Sequence, residues 1–143
     1  MKKPKSPAPK KTAKKPVAKK TARAKTGRGD AQRARIAKVR AILDAKKGEN
    51  IVVLHIAKVS GITDYLVLCT GLNAPHLRAL ADDLAKRLRQ ETPPLAAHRR
   101  AGSVASEWIV LDYLDFVVHL FTPSMRAYYA LEQLWKDAPT VKP

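Results

Sequence analysis

The chain contains a single cysteine among its 143 residues, which excludes an intrachain disulfide and a thiolate metal site. Cys69 lies in an apolar run, so we expect a buried thiol. No apolar run approaches the roughly 18 residues of a membrane span, and no apolar stretch follows the charged N-terminus as it would in a secretory signal. These absences favour a cytoplasmic protein.

Acidic residues are missing from the first 29 positions, which hold ten Lys and two Arg. The remaining residues hold 16 basic and 12 acidic side chains, so most of the net charge of +16 belongs to that first segment. Its Lys, Pro, Ala and Thr composition, with four prolines, predicts a disordered tail over residues 1–29. A mildly basic folded domain over 30–138 and a short C-terminal tail over 139–143 complete the predicted organisation.

The basic tail has two interpretations. As an electrostatic arm, it would displace counterions from nucleic-acid phosphates without sequence preference. As a solvated segment, it would have no dedicated role. We favour the arm because acids are wholly absent, and its scarcity of Arg and Ser argues against a mitochondrial transit peptide. The lysines assigned to non-specific nucleic-acid binding are Lys10, Lys11, Lys14, Lys15, Lys19 and Lys20.

After the tail, the pattern begins with a helix and two strands. Asp30 is a candidate N-cap for a helix that ends near Lys47, with Gly48 as its stop. The β-branched runs 51–59 and Tyr65–Thr70 predict two strands joined as a hairpin.

Two further helices are expected. Asn73 is a candidate N-cap for a helix to about Gln90. Residues 95–106 are small and polar, and the sequence does not decide whether a strand begins there. Thr122 and Pro123 predict the start of the last helix. The apolar stripe of that helix is Tyr128, Leu131, Leu134 and Trp135.

The stretch with the strongest β-propensity is E-W-I-V-L-D-Y-L-D-F-V-V-H-L-F, residues 107–121. It predicts a hairpin with Tyr113 and Leu114 in the turn and Asp112 opposite Asp115. Because side chains alternate along a strand, one face is wholly apolar and the other is mixed. The apolar face carries Ile109, Leu111, Phe116, Val118 and Leu120; the mixed face carries Trp108, Val110, Asp112, Asp115, Val117 and His119. The mixed face suits a helix-covered surface with polar rims, or a partner surface.

The order α-β-β-α-β-β-α predicts an α/β (α+β) fold with a mixed or mostly antiparallel sheet packed with helices.

Residues typical of catalysis are sparse. Asp112 and Asp115, with Asp64 as a candidate third ligand, could hold Mg²⁺, but Asp also serves turns well and we favour that role. Gly61 and Gly71 are isolated, so there is no Gly-rich phosphate loop, and the four histidines show no repeated ligand spacing. We expect no enzyme, no metal and no cofactor.

Trp108 is an interface candidate because tryptophan brings a large apolar area and a polar N–H to a hot spot. The competing interpretation is a tryptophan of the core or sheet rim. Trp135 lies on a helical stripe, which favours a core position.

Four separated motifs closely resemble the ribosomal silencing factor (Iojap-like) family. They are I-T-D-Y-L-V-L-C-T-G at 62–71, H-L-R-A-L-A-D-D-L at 76–84, the hairpin at 107–121 and R-A-Y-Y-A-L-E-Q-L-W at 126–135. The resemblance covers about residues 33–138 without large gaps. It implies a mixed sheet flanked by helices, related to the nucleotidyltransferase fold but without its activity.

The resemblance also implies a function. Such proteins bind the large ribosomal subunit at its fourteenth protein, block joining of the small subunit, and so repress translation when nutrients run short; organelle relatives act in large-subunit assembly. It implies an interface role for Trp108, with Asp112, Asp115 and His119 on the same face. This chain departs from the family at Leu114, where the family commonly has Gly.

Two other functions remain open. One is a nucleotidyltransferase that uses Asp112 and Asp115. The other is a general RNA-binding protein driven by the basic tail, with ribosomal RNA as its contact. The sequence also leaves open a homodimer of the free protein.

Overall fold

The computed structural model describes residues 20–103 and 105–141, without the side chains of residues 20–28. Its elements in chain order are α1 (Lys20–Ala45), β1 (Glu49–His55), β2 (Tyr65–Thr70), α2 (Ala74–Arg89), β3 (Arg99–Ser103), β4 (Trp108–Asp112), β5 (Phe116–Phe121), α3 (Pro123–Tyr129), α4 (Leu131–Leu134) and β6 (Thr140–Val141). The chain divides within α1 into two compact units, Met1–Ala37 and Lys38–Pro143, and the second contains all six of these strands.

The strands form one sheet in the order β3-β4-β5-β2-β1-β6. Every neighbouring pair is antiparallel except β2 and β5, which are parallel. The predicted fold class, a mixed sheet flanked by helices, is confirmed. The structure adds β3 inside the undecided segment and a short β6 that the pattern did not predict.

Helix α2 packs on the apolar face of the sheet. Its spacing of leucines places one stripe against the strands, and that stripe is fully buried. The stripe is Leu77, Leu80, Leu84 and Leu88. Asn73 caps the helix as predicted, because its side-chain oxygen accepts a hydrogen bond from the backbone N–H of His76 at 2.9 Å.

The C-terminal segment packs on the other face of the sheet, and its helix is broken. Ala130 adopts a left-handed conformation (φ 46°, ψ 52°) between α3 and α4. The predicted single stripe is therefore wrong, since the break changes the helical phase: Tyr128 and Leu134 are 78% and 69% exposed. Leu131 and Trp135 do pack against the buried cluster, which consists of Leu54, Ile56, Leu66, Leu68, Phe121 and Ala138.

Helix α1 begins at Lys20, well before the predicted start after Asp30, so Asp30 is inside the helix and does not cap it. The last proline of the tail is Pro16, and the Lys, Ala and Arg residues after it favour helix. The helix therefore includes residues 20–29 of the predicted tail, while residues 1–19 lie outside the described part of the chain. The division of the chain at residue 30 stays a prediction.

The end of α1 at Ala45 is close to the predicted one, but Gly48 is not the residue with left-handed backbone that ends the helix. Lys47, with a φ of 66°, is the left-handed residue. Gly48 is required for packing instead, because a Cβ there would lie 2.5 Å from the Sγ of Cys69.

The turn of the 107–121 hairpin also differs from the prediction. Asp112 pairs with Val117, not with Asp115, so Leu114 and Asp115 occupy the turn. Leu114 takes the left-handed conformation that this turn requires, with a φ of 71°. The partner of Asp112 moves by two residues, which is one full period of strand side chains, so both predicted faces survive in the strands.

Candidate partner-binding surface

The mixed face of the hairpin stays partly open to solvent. The strand registers set its side chains in three rows across β3, β4 and β5. The rows are Ser103–Trp108–Phe121, Ala101–Val110–His119 and Arg99–Asp112–Val117. All three β3 residues are exposed, and the β4 residues, together with Val117 and His119, are half-buried. We call this face the Trp108 face.

Trp108 is held by ring contacts and one hydrogen bond. Its indole lies 5.2 Å from the Phe121 ring and 4.4 Å from the Tyr129 ring, measured between centroids. Its Nε1 donates a hydrogen bond to Nδ1 of His119 at 3.0 Å. The polar atom of the indole is therefore satisfied inside the protein, which leaves only apolar ring atoms for contacts with other molecules.

Burial of the His119 imidazole lowers its pKa to about 4, from an ordinary value of 6.5. The ring is therefore neutral at physiological pH. Because Nδ1 accepts the hydrogen bond from Trp108, the ring proton resides on Nε2. His119 acts as an acceptor that orients the indole.

The two aspartates lie at the turn. The Oδ1 of Asp112 accepts a hydrogen bond from the backbone N–H of Leu114 at 2.8 Å. The backbone carbonyl of Asp115 accepts from the N–H groups of Asp64 and Tyr65, at 3.0 and 3.2 Å. Within the described residues, no group of three or more His, Cys, Asp or Glu side chains could hold a metal ion.

The structure thus brings together only two of the four residues predicted for the interface. Trp108 and His119 are in contact, while Asp112 lies at the far end of β4 and Asp115 lies in the turn. Of the tail lysines, Lys10, Lys11, Lys14, Lys15 and Lys19 are outside the described residues, and only the backbone of Lys20 is described.

Sequence reasoning missed Tyr129, which packs on Trp108. The expected continuous helix placed the neighbouring Tyr128 on the buried stripe, and no residue signalled the break at Ala130. Tyr129 is 45% exposed, so it extends the aromatic surface next to the indole.

Arg126 fastens α3, and hence Tyr129, to the sheet. Its Nε and Nη2 donate to the Oε2 of Glu132 at 3.1 and 2.7 Å, and its Nη1 donates to the Oγ1 of Thr70 at 2.8 Å. Nη1 also donates to the backbone carbonyl of Asn50. The guanidinium thus joins α3 and α4 to β2 and to the start of β1.

A family model described as "Ribosomal silencing factor during starvation" matches residues 29–143. This chain belongs to the ribosomal silencing factor family. It is 39% identical over 100 residues to the ribosomal silencing factor RsfS of Halalkalibacterium halodurans, covering 70% of this chain and 84% of that protein. It is 30% identical over 98 residues to a mouse protein named mitochondrial assembly of ribosomal large subunit protein 1, covering 66% of this chain and 42% of that one.

A solved structure supports the same grouping. A crystal structure of a Bacillus halodurans protein superposes with a TM-score of 0.66 at 32% sequence identity, covering 78% of this chain and 99% of the other. The family predicted from the four motifs is confirmed. Among the described residues, no helix combines the length and apolar character that crossing a membrane requires.

Proposed function

We propose that this ribosomal silencing factor binds the large ribosomal subunit at its fourteenth protein and blocks joining with the small subunit, so that translation falls when nutrients are limited. The Trp108 face is the contact surface. The observation that carries the proposal is the half-buried aromatic group of Trp108 and Tyr129 beside open strands, in a chain of this family. The protein would act in the cytoplasm.

The chemistry of the face supports this assignment. Trp108, Val110 and Val117 supply apolar area, and Nε1 of Trp108 has its hydrogen-bond acceptor within the protein. Asp112 adds a carboxylate that suits a basic protein surface. Protein interfaces combine an apolar, aromatic centre with a polar rim in this way.

The proposed activity requires no reaction. Occluding a subunit junction depends on affinity and on bulk at the right place. Incubation with labelled nucleotides and Mg²⁺ should therefore give no transfer to RNA or protein. Transfer that Asp112→Asn abolishes would establish the enzyme instead.

Sedimentation of purified bacterial ribosomal subunits with the full chain tests the main proposal. The protein should co-migrate with the large subunit and lower the fraction of joined ribosomes. Absence of both effects would exclude the proposed function.

Two variants test the role of Trp108. Trp108→Ala should weaken large-subunit binding by roughly tenfold or more, as expected for a hot-spot tryptophan. Because the indole also packs on Phe121, Trp108→Phe serves as the matched variant that keeps an aromatic ring in place. Thermal unfolding of both separates lost packing from lost contact. Unchanged affinity in Trp108→Ala would remove Trp108 from the interface.

The basic tail would add a non-specific contact to ribosomal RNA. Deleting residues 1–19, which ends the deletion where α1 begins, should lower the affinity and flatten its dependence on salt. Trp108→Ala should leave the salt dependence unchanged. Loss of nearly all affinity on deletion would favour the general RNA-binding function.

A further inference from the structure

Leu114 is exposed and adopts an unfavourable backbone conformation. Its side chain is 57% exposed at the tip of the β4–β5 turn, and its φ is 71°. Left-handed backbone disfavours a residue with a Cβ, and glycine would meet the same requirement without strain. A leucine here therefore stabilises neither the turn nor a core. Residues that are costly to the fold and exposed to solvent are typical of functional positions.

A second exposed aliphatic group lies in the β1–β2 loop. Ile62 is 90% exposed and Val59 is 53% exposed. Hydrogen bonds nevertheless restrain the loop: the N–H of Ile62 donates to the Oγ of Ser60 at 3.2 Å, and the N–H of Ile56 donates to the carbonyl of Asp64 at 2.9 Å. A restrained loop loses less conformational entropy when it binds a partner.

Backbone hydrogen bonds join the loop and the turn. The carbonyl of Asp115 accepts from the N–H groups of Asp64 and Tyr65, at 3.0 and 3.2 Å. Val59, Ile62 and Leu114 therefore belong to one end of the sheet. We call them the apolar rim.

The charges around the apolar rim indicate what it contacts. Segments 56–64 and 112–115 contain three aspartates and one lysine, and Arg99 of β3 lies opposite Asp112 at this end of the sheet. Carboxylates repel nucleic-acid phosphates and attract basic protein surfaces. Leu114 is six residues from Trp108, about 20 Å along a strand, and a standard interface of about 800 Å² per partner spans that length.

We propose that Ile62 and Leu114 form a second apolar anchor for the basic ribosomal protein that Trp108 contacts. The proposal rests on the proposed function, since it extends the Trp108 face to the end of the sheet. The partner at this end of the sheet is then a basic protein surface with an apolar depression, and not RNA.

Leu114→Gly is the sharpest test, because it should move stability and binding in opposite directions. Glycine relieves the left-handed strain, so the melting temperature should stay the same or rise. Affinity for purified bacterial large subunits should fall by about fivefold to tenfold, as for an interface anchor. Unfolding therefore cannot explain a loss of binding. Affinity equal to that of the unchanged protein would overturn the proposal.

Ile62→Ser provides an independent variant, and Leu72→Ser is the matched control. Leu72 is 57% exposed, like Leu114, but leads into α2. Ile62→Ser should weaken binding severalfold, and Leu72→Ser should not. If Trp108→Ala weakens binding while both rim variants bind normally, the second anchor is wrong and the proposed function stands. If the unchanged protein fails to bind large subunits, the proposed function itself is wrong.

A second copy of this chain is the alternative partner for the apolar rim. Sedimentation of the protein without ribosomes tests for it. A dimer that Leu114→Gly converts to a monomer, with subunit binding unchanged, would assign the rim to self-association and overturn the proposal. A rim variant that leaves the free protein's oligomeric state unchanged and weakens subunit binding supports it.

Discussion

Nε1 of Trp108 donates a hydrogen bond to Nδ1 of His119 across β4 and β5, at 3.0 Å. The bond requires an unprotonated Nδ1, and burial keeps the imidazole neutral by lowering its pKa to about 4. The orientation of the residue proposed as the main contact therefore depends on the protonation state of its neighbour.

Stability should fall in mild acid because of His119. The unfolded chain takes up a proton near pH 6.5, whereas the folded state resists protonation until its pKa of about 4. Stability is therefore complete above pH 6.5 and decreases as the pH falls towards 4, by at most about 3 kcal/mol. His119→Asn keeps an acceptor for the indole and does not titrate. Urea unfolding between pH 4 and 7 should show that stability falls more steeply with pH in the unchanged protein than in His119→Asn. Parallel curves would show that His119 does not cause the loss.

Gly48→Ala should destabilise the fold by about 1–3 kcal/mol, the usual cost of overpacking. The added Cβ would lie 2.5 Å from the Sγ of Cys69 and 3.0 Å from the carbonyl oxygen of Leu43. Cys69→Ala in the same chain should restore part of the loss, because it removes the closer atom. Gly61→Ala is the control, since a Cβ there meets nothing within 4 Å. Chemical denaturation of these three variants and the unchanged protein would show whether the sulfur causes the conflict.

Ala130→Gly and Ala127→Gly should have opposite effects, although the same substitution is made three residues apart. Ala130 is left-handed, with a φ of 46°, so glycine should stabilise the protein by up to about 1 kcal/mol. Ala127 is inside α3, where glycine should cost about 0.5–1 kcal/mol. Thermal unfolding measures both. A destabilising Ala130→Gly would show that the break between α3 and α4 does not carry this strain.

Arg126→Ala should cost about 2–3 kcal/mol, because the guanidinium is almost buried and its removal leaves the groups it binds without their donor. Its side chain is 11% exposed in the ion pair with Glu132. Arg78→Ala is the matched control: its pair with Asp82 spans 3.7 Å, with both side chains largely exposed, and should contribute less than about 0.5 kcal/mol. Equal effects in urea unfolding would mean that Arg126 does not fasten α3.

The hairpin illustrates which parts of the fold are accessible from the sequence. Alternation placed Trp108, Val110, Val117 and His119 on one face, and the burial pattern confirms it. The turn was wrong because Leu114 gave no local signal of a left-handed backbone, which is normally marked by Gly or Asn. The strand order places β2 beside β5, a contact between segments 46 or more residues apart that local patterns do not encode.

The predictions for the C-terminal helix and for the start of α1 were wrong for related reasons. Tyr128 and Leu134 match a continuous helical stripe, but packing of Leu131 and Trp135 on the cluster around Phe121 favours a break at Ala130. In α1, an N-cap signal at Asp30 competed with good helix formers before it, and the helix extended to Lys20.

The sequence by itself determined the family, the fold class and the identity of the face that carries Trp108, because these depend on motifs and on side-chain periods that are local. Only the tertiary structure decided how that face is built. It pairs the indole with His119, packs Tyr129 against it, separates Asp112 and Asp115 from it, and places the loop that carries Ile62 and the turn that carries Leu114 at the same end of the sheet. These relationships depend on contacts between distant segments and on side-chain desolvation, which arise only when the chain is folded.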